Sequence, residues 1–375
     1  MEKLIRIGMD TSKSVFQLHG VDAMERPALV KKLHRRQVIA FFKKQPRLKV
    51  GLEACGGAHH WGRELGALGH DVFLIPPQHA KAYLRRGKHD AADADAICEA
   101  MSRPRTRFVP VKTAEQQAAQ MLAGVRDQLI RRRTQLSNTI RGHATEFGLI
   151  APTGLAKIEP LLVHIATEES VPALARELFE VLAEDYRAVG LRIAKVDAKL
   201  MAFHRQDEVS RRLAQVPAIG PIGATLLSIK VPDAKLFRSG RDFAAWIGLT
   251  PKNHSTAGKT RLGAITRAGD AKLRSVLVVG AMAVIQQLKR RKEPPPSWLG
   301  ELLKRKPAKL AAVALANKTA RIAWKLMVTG ERYDPRPNPA TVARCSAPSR
   351  PLRAADRGGQ GPALTAPALR APAYP

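Results

Sequence analysis

Short apolar segments separated by helix-like segments fill the first hundred residues of the chain. Four segments are apolar throughout or alternate apolar with polar residues, as strands do, and two have the spacing of amphipathic helices. The predicted strands are 3–10, 14–21, 48–55 and 71–77. The predicted helices are 37–45 and 59–70. This alternation predicts an α/β domain, to which we assign residues 1–110.

After this domain the apolar pattern changes to a helical period. Residues 113–147 predict one long helix, followed by a loop that contains Pro160, and residues 174–206 predict a second long helix. The second helix carries the a/d heptad of a coiled coil, at Leu182, Tyr186, Val189, Ile193, Val196, Leu200 and Phe203. This seam either packs on the first helix within one chain or joins two protomers, and the sequence favours neither. We assign residues 111–210 to a coiled-coil linker and dimerisation region.

A third, mostly α-helical region is predicted over residues 211–330. It opens with VPAIGPIGA, in which Gly220 and Gly223 resemble the hairpin of a helix-hairpin-helix, where backbone N–H groups approach a DNA phosphate. An ordinary tight turn is the alternative. Two further helices are predicted at 239–249 and 269–288. Residues 331–375 are rich in Pro, Ala and Arg without periodicity, which predicts a disordered tail.

The charge balance points to an anionic partner. Lysine and arginine number 63 against 32 acidic residues, and the resulting net charge of +31 is spread over the whole chain. A chain this basic most often binds DNA or RNA. Solubility alone is a weaker explanation, because so much like charge repels itself in the folded state.

Cysteine usage and the N-terminal segment narrow the protein class further. Cys55, Cys98 and Cys345 form no C-x-x-C pair, so neither a zinc knuckle nor a disulfide framework is supported. The first residues lack the apolar segment of a signal peptide, and no apolar run approaches the roughly 18 residues of a membrane span. We therefore expect a cytoplasmic protein without a membrane segment.

Carboxylates lie at the ends of two predicted strands and on a predicted helix. Asp10 ends the first strand and Glu53 ends the third. In the stretch GKHDAADADAI, at about 100° per helical residue, Asp90 and Asp93 lie about 60° apart on one face, whereas Asp95 points elsewhere. Helix capping and the helix dipole are the alternative explanation for these aspartates.

Carboxylates from two strands and a later helix match the layout of a ribonuclease-H-like nuclease fold, in which they converge on two divalent metals. Mg²⁺ suits such a site because it prefers oxygen ligands and keeps waters and phosphates as partners. Two metals can activate the attacking oxygen and stabilise the leaving one. The carboxylates therefore predict a metal-dependent nuclease site.

A polar, glycine-containing segment, GLTPKNHSTAGKTRLGAITRAGD, is the second candidate site. Gly258-Lys259-Thr260 is not a P-loop, because Asn253 stands where that motif needs glycine. Basic residues flank Ser255 and Thr256, namely His254, Lys259, Arg261 and Arg267. Such a loop can bind a phosphate and offer a hydroxyl nucleophile, which needs activation by a base, a metal or positive surroundings. A phosphate-binding loop without chemistry is the simpler alternative.

Taken together, several segments resemble the DEDD-type insertion-sequence transposases over about residues 3–330. The segments are IGMDTSK, GLEACGGAHHW, KHDAADADAI, VPAIGPIGA, FRSGRDFAAWIGLTPKNHSTAGKTRLGAITRAGDAKLR and LANKTARIAW. The resemblance implies a RuvC-like N-terminal domain, a separate C-terminal transposase domain, and a site-specific recombinase that moves an insertion sequence.

The resemblance also implies roles for individual residues. The metal-binding tetrad, for Mg²⁺ or Mn²⁺, would be Asp10, Glu53, Asp90 and Asp93. Ser255 would be a nucleophile that becomes covalently joined to DNA, although the neighbouring Thr256 leaves this register open by one residue. Contacts to nucleic acid are expected from Gly220, Gly223, Lys259, Arg261 and Arg267.

The resemblance also implies binding partners, and two other functions remain as alternatives. The family resemblance implies a structured guide RNA from the element itself, and dimers that pair into tetramers on DNA. A RuvC-type Holliday-junction nuclease, in which Ser255 is incidental, remains the first alternative. The second is a catalytically silent protein that binds DNA or RNA.

Overall fold

The computed structural model describes residues 4–84, 90–104, 106–291 and 297–335, and of Asp90 it describes the backbone. One compact unit ends at Arg332. The predicted disorder of the tail falls almost wholly outside the described residues, as does the start of the GKHDAADADAI stretch.

A five-stranded mixed sheet forms the centre of the N-terminal region. Its strands are β1 (Arg6–Thr11), β2 (Val15–Val21), β3 (Pro27–His34), β4 (Lys49–Glu53) and β5 (Asp71–Ile75). The spatial order is β3-β2-β1-β4-β5; β1, β2 and β3 are antiparallel neighbours, whereas β4 is parallel to both β1 and β5. The predicted α/β region is confirmed. The sequence analysis missed β3 because it is an edge strand, mostly exposed, without a buried alternating face.

Helices cover both faces of this sheet. They are α1 (Val38–Lys43), α2 (Ala58–Ala67), α3 (Pro77–Lys81) and α4 (Asp90–Ser102). Ile7 and Met9 of β1 belong to the apolar core that α1 and α2 complete with Phe42 and Trp61. Alternate residues of β1 point to the opposite face, where α4 packs against β1 and β2.

The central region consists of α5 (Ala114–Glu146), α6 (Ile158–Thr167) and α7 (Ala173–Gln206). Ion pairs from Arg126 to Asp197 and from Arg132 to Asp185 show that α5 and α7 lie antiparallel. Four heptad positions of α7 are buried within the chain: Tyr186, Val189, Ile193 and Leu200. The structure therefore resolves the sequence alternative in favour of a seam that packs inside one chain.

The segment between the two long helices is more helical than predicted. The sequence analysis placed Pro160 in a loop, but it is the third residue of α6. Proline is tolerated there because the N–H groups of a first helical turn have no partner within the helix. Ile158, Leu161, Leu162 and Ile165 bury this helix against the central core.

The C-terminal region is mostly helical, as predicted. Its helices are α8 (Glu208–Leu213), α9 (Pro221–Lys230), α10 (Gly240–Ile247), α11 (Ala271–Arg290), α12 (Trp298–Arg305) and α13 (Ala308–Thr329). A two-stranded hairpin of β6 (Pro251–Asn253) and β7 (Leu262–Ile265) separates α10 from α11. The sequence analysis missed α12 and α13; the buried face of α13 is mostly alanine, which gives a weak apolar period.

Helix α11 is long and apolar enough on average to cross a membrane, although its unbroken apolar run covers only residues 276–285. Within the described part of the chain it alone has that length and composition, with 20 residues and a mean hydropathy of 1.3. A core helix of a soluble protein has the same properties. Leu273, Leu277, Ala281 and Ile285 are buried where α11 packs on α13 and α9, so one face of α11 belongs to the core.

Candidate active site

Two carboxylates lie side by side where parallel strands end. Met9 of β1 pairs with Leu52 of β4, so Asp10 and Glu53 follow at the same end of neighbouring strands. Side chains alternate along a strand. Asp10 therefore shares a face with Gly8, and Glu53 shares that same face with Gly51, which is the partner of Gly8 in the parallel pair. Both carboxylates are half-buried.

Two glycines let α4 approach this face closely. A Cβ on Gly8 would lie 2.3 Å from the carbonyl oxygen of Ala94 and 2.5 Å from the amide nitrogen of Cys98. A Cβ on Gly51 would lie 2.3 Å from Met101 Sδ. The backbone of α4 therefore rests almost directly on β1, at positions where any larger residue would displace it.

Contacts along β1 also fix the direction of α4. Arg6 Nε donates to the carbonyl oxygen of Cys98 at 3.1 Å, and Gly8, two residues further along β1, lies between Ala94 and Cys98. Helix α4 therefore runs antiparallel to β1, and its first residue, Asp90, lies toward the Asp10 end of the strand. The aspartate-bearing end of α4 lies at the end of the sheet where the two strand carboxylates lie.

Contacts between α4 and β4 also place Asp93 on the β4 side of the helix. Ile97 and Met101 lie beside Gly51, and Asp93 precedes Ile97 by one helical turn. One turn of four residues advances about 6 Å along a helix, and two strand residues advance about 6.6 Å. Asp93 therefore lies on the side of α4 that follows β4 toward Glu53.

The structure thus brings the elements that carry Asp10, Glu53 and Asp93 to one end of the sheet, while the side chain of Asp90 lies outside the described residues. No three described His, Cys, Asp or Glu side chains are grouped closely enough to hold one ion. Asp95 behaves differently from the others: its carboxylate lies 3.3 Å from Nε2 of His19 on β2. The sequence analysis had set Asp95 apart from this group.

Ser255 lies on the exposed β6–β7 hairpin. The hairpin tip is a two-residue turn in which Ala257 and Gly258 both have positive φ, and Lys259 N–H donates to the Thr256 carbonyl at 2.9 Å. Positive φ at both central positions is the property of the turns that match the twist of paired strands. The sequence analysis expected a loop here and did not identify the strands.

Hydrogen bonds within the hairpin orient the Ser255 hydroxyl. Its Oγ accepts the backbone N–H of Arg261 at 2.9 Å, and its own N–H donates to Asn253 Oδ1 at 3.0 Å. Residues 251–264 are all exposed, including the basic side chains of Lys259 and Arg261. Among the described residues, no histidine or carboxylate is hydrogen-bonded to this hydroxyl.

The base of the hairpin is anchored by hydrogen bonds from two helices, whereas its tip is exposed. Arg274 of α11 donates to the carbonyl oxygens of Ile247 at 2.8 Å and of Ala268 at 3.0 Å. Asn317 of α13 donates to Leu249 O at 3.2 Å. These two side chains tie the hairpin to two core helices. Sequence reasoning missed both residues, because nothing in their local pattern marks a contact with a distant loop.

The segment that resembles a helix-hairpin-helix is α8, a turn and α9. Gly220 is exposed and is the N-cap of α9. Gly223 is inside α9 and buried, and a Cβ there would lie 2.9 Å from Val276 of α11. This corrects the prediction for Gly223: its small size allows close packing of two helices, and its position is turned away from solvent. Arg267 is exposed and has φ 56°.

Ion pairs join the C-terminal region to the N-terminal region and to α5. Arg107 pairs with Asp242 at 2.7 Å, and Lys272 of α11 pairs with Asp127 of α5.

Lys112 donates its backbone N–H to Nδ1 of His59 at 3.2 Å. Burial lowers the pKa of His59, and the charges of Lys112 and Arg63 lower it further.

Carboxylates at the end of neighbouring strands suit an enzyme that acts on phosphates with divalent metals, and the separate β6–β7 hairpin is exposed and basic. Comparisons with known proteins agree. Residues 210–294 match the family described as Transposase IS116/IS110/IS902 family. Residues 7–148 match the DEDD domain of IS110 elements, described as a transposase.

Similar full-length proteins carry the same description. A putative transposase of Sinorhizobium fredii is 61% identical over 334 residues, which cover 89% of this chain and 86% of that protein. A probable family 20 transposase of Pseudomonas aeruginosa is 48% identical over 335 residues, covering 88% and 99%. A transposase for insertion sequence element IS1328 of Yersinia enterocolitica is 37% identical, covering 88% and 98%. The chain therefore belongs to the IS110/IS116 family of transposases, which cleave and rejoin DNA.

Proposed function

We propose that this protein moves an insertion sequence by cutting and rejoining DNA strands with a carboxylate site on a ribonuclease-H-like, RuvC-like domain. The observation that carries the proposal is the placement of Asp10 and Glu53 side by side, under the end of α4 that bears Asp90 and Asp93. The strand order β3-β2-β1-β4-β5, with three antiparallel strands followed by two parallel ones, supports this fold assignment.

The donor set fits a hard divalent cation. All four side chains of the proposed tetrad end in carboxylate oxygens, the ligands that Mg²⁺ and Mn²⁺ accept. The residues that would hold the metal are Asp10, Glu53, Asp90 and Asp93. Bound metal would activate an attacking oxygen, stabilise a leaving one, and offset the repulsion between these carboxylates and DNA.

Ser255 is the proposed nucleophile. Its Oγ would form a bond to a DNA phosphorus while the bond between that phosphorus and the oxygen of the leaving strand breaks. The serine hydroxyl would lose its proton, and the leaving oxygen would gain one. Because Oγ accepts the Arg261 N–H, the hydroxyl proton remains available to a base. Lys259, Arg261 and Arg267 would hold the phosphate through charge-assisted hydrogen bonds.

The proposed assembly follows the family resemblance. A guide RNA from the element would select the DNA, and dimers pairing into tetramers would bring the serine hairpin of one chain to the carboxylate site of another. This arrangement would supply the base or metal that Ser255 lacks within its own hairpin. The protein would act in the cytoplasm. Neither the junction-nuclease alternative nor the silent binding protein is favoured by the comparisons.

A gel assay for a protein–DNA adduct tests the nucleophile. Wild-type protein, Mg²⁺, DNA carrying the element ends and the element transcript should give a covalent adduct that survives denaturation. Ser255→Ala should abolish the adduct, whereas Thr256→Ala, on the same exposed hairpin, should retain it. An adduct that persists in Ser255→Ala would show that the serine assignment is wrong, and loss in Thr256→Ala alone would move the nucleophile by one residue.

Carboxylate variants test the metal site in the same assay. Asp10→Asn and Glu53→Gln should lose DNA cleavage while they still bind DNA, because each removes one anionic ligand with little change in shape. Asp95→Asn is the matched control, since Asp95 pairs with His19, and it should retain cleavage. Cleavage by Asp10→Asn at the wild-type rate would contradict the proposed site.

A further inference from the structure

A cavity of about 370 Å³ lies between α8 and the C-terminal end of α13. Its lining is strongly basic, with three arginines against one glutamate. The lining residues are Glu208, Arg211, Arg212, Gln215, Gly330 and Arg332. None of them belongs to the carboxylate site or to the Ser255 hairpin.

Arg212 forms a fixed wall of this cavity. Its guanidinium pairs with Glu208 at 2.7 Å and reaches the Leu326 carbonyl oxygen at 3.4 Å, which ties α8 to α13. Gly330 ends α13 with φ 75°, and a Cβ there would lie 3.4 Å from Arg212 Nη1. The wall is therefore built by the packing of the two helices, before any ligand is present.

Arg211 and Arg332 are the available cations of the cavity. Both are exposed, and within the part of the chain that the structure describes neither guanidinium has a hydrogen bond or an ion pair. Gln215, also lining the cavity, adds an amide donor. The single carboxylate, Glu208, is already paired with Arg212. An anion that enters would therefore meet two uncompensated guanidinium groups.

We propose that this cavity binds a backbone phosphate of a nucleic-acid strand. Guanidinium groups bind phosphate oxygens through two parallel hydrogen bonds, which makes arginine a better match for this group than a point charge. The strand is the source of the phosphate because Gln215 begins the turn that leads to Gly220, the exposed N-cap of α9. One strand could then contact the turn and the cavity together. The proposal rests on the proposed action on DNA, but not on the serine chemistry.

The salt dependence of binding tests the cavity directly. Full-length Arg211→Gln/Arg332→Gln would be compared with wild type on duplex DNA, single-stranded DNA and RNA of one length. Loss of one phosphate contact makes the negative slope of log K against log[salt] shallower by about 0.9 on duplex DNA and by about 0.7 on single strands. On duplex DNA this corresponds to a loss of roughly eightfold in affinity at 0.1 M salt. The strand type that shows the change identifies the source of the phosphate.

A matched control removes the same charge elsewhere. Arg192 and Lys199 are exposed on α7, so Arg192→Gln/Lys199→Gln should keep the wild-type slope. If the cavity variant and the control have the same slope on all three probes, the cavity does not bind a strand phosphate and the proposal is wrong. Melting temperatures of both variants should equal that of wild type, because all four side chains are exposed.

The adduct assay separates this proposal from the proposed chemistry. At saturating protein the cavity variant should still form the Ser255 adduct, since it keeps the hairpin and the carboxylates. A changed salt slope without any wild-type adduct would support the cavity and contradict the nucleophile. An adduct with an unchanged slope would support the nucleophile and contradict the cavity.

Discussion

At the scale of single residues, the candidate site depends on two glycines, which carry no side chain. Gly8 and Gly51 have no Cβ where α4 crosses β1 and β4, so the helix can lie against the strand backbone. This closeness brings the first turn of α4 near Asp10 and Glu53. The site residues attract attention in the sequence, but the glycines decide whether those residues meet.

Gly8→Ala should therefore destabilise the fold and displace α4. Its Cβ would lie within 2.5 Å of two backbone atoms of α4, which cannot move as a flexible side chain can. We expect a loss of about 1–3 kcal/mol in the free energy of unfolding, measured by urea denaturation, together with reduced DNA cleavage. Gly66→Ala, on α2 with no atom within 4 Å, should be neutral or stabilising. Equal effects of the two would contradict the close contact.

His59 should make stability depend on pH. Burial lowers its pKa below the ordinary 6.5, so the unfolded chain binds the proton first as the pH falls. Above about pH 7, His59 is neutral in both states and does not change the free energy of unfolding. As the pH falls from 6.5 to the pKa of His59 in the folded protein, the free energy of unfolding decreases. Protonation at Nδ1 would also break the hydrogen bond from Lys112 N–H.

Two neighbouring histidines allow a controlled measurement. Thermal unfolding of His59→Gln between pH 7.5 and 5 should show a smaller decrease in stability than wild type. His60→Gln, one residue away and exposed, should retain the wild-type pH dependence. If the two variants behave alike, burial of His59 is not the cause.

At the scale of elements, the hairpin that carries Ser255 combines an exposed tip with a fixed base. Arg274 and Asn317 hold the backbone on both sides of the hairpin, while residues 251–264 are exposed. Such an element can present a hydroxyl to a large substrate without losing its direction. We therefore infer that Arg274 is a positioning residue.

Arg274→Met should slow adduct formation while DNA binding is retained. A displacement of about 1 Å in a reacting group can cost about 10²-fold in rate, and the two lost hydrogen bonds should lower stability by about 1–3 kcal/mol. Arg274→Lys should restore part of the rate. Arg290→Met, the same change at the exposed end of α11, should leave the rate unchanged; a normal rate in Arg274→Met would exclude the positioning role.

At the scale of the whole molecule, α5 and α7 form the structural link between the α/β region and the helical C-terminal region. The heptad seam of α7 is buried against its own chain. The ion pair Arg107–Asp242 connects the two outer regions directly, and Lys272–Asp127 connects the C-terminal region to α5. The buried heptad positions therefore stabilise the fold of a single chain.

Ile193→Ala tests this use of the seam. Ile193 is 5% exposed, so the substitution should cost about 2–5 kcal/mol. The loss measured by denaturation should be the same at high and low protein concentration, because it occurs within one chain. Leu191→Ala on the same helix, where the side chain is 68% exposed, should change stability by less than about 0.5 kcal/mol. A loss that disappears at high concentration would instead indicate a seam between protomers.

The sequence by itself determined the long helices and most strands, because apolar periodicity is a local property that burial on one face imposes. It also predicted Asp10, Glu53 and Asp93 as carboxylates of one site, through their places at strand ends and on one helical face, and this assignment stays a prediction. It did not reveal β3, whose exposed edge lacks a buried face, nor α13, whose alanines carry little apolar contrast.

Only the tertiary structure decided which neighbours these elements have. The heptad of α7 is compatible with a partner in the same chain or in another, and the packing of α5 selected the first. Gly223 has the pattern of a DNA-contacting turn, yet Val276 buries it. Arg211 and Arg332 are far apart in the sequence and share one cavity. Contacts between distant segments leave no local period, because they depend on how finished elements pack.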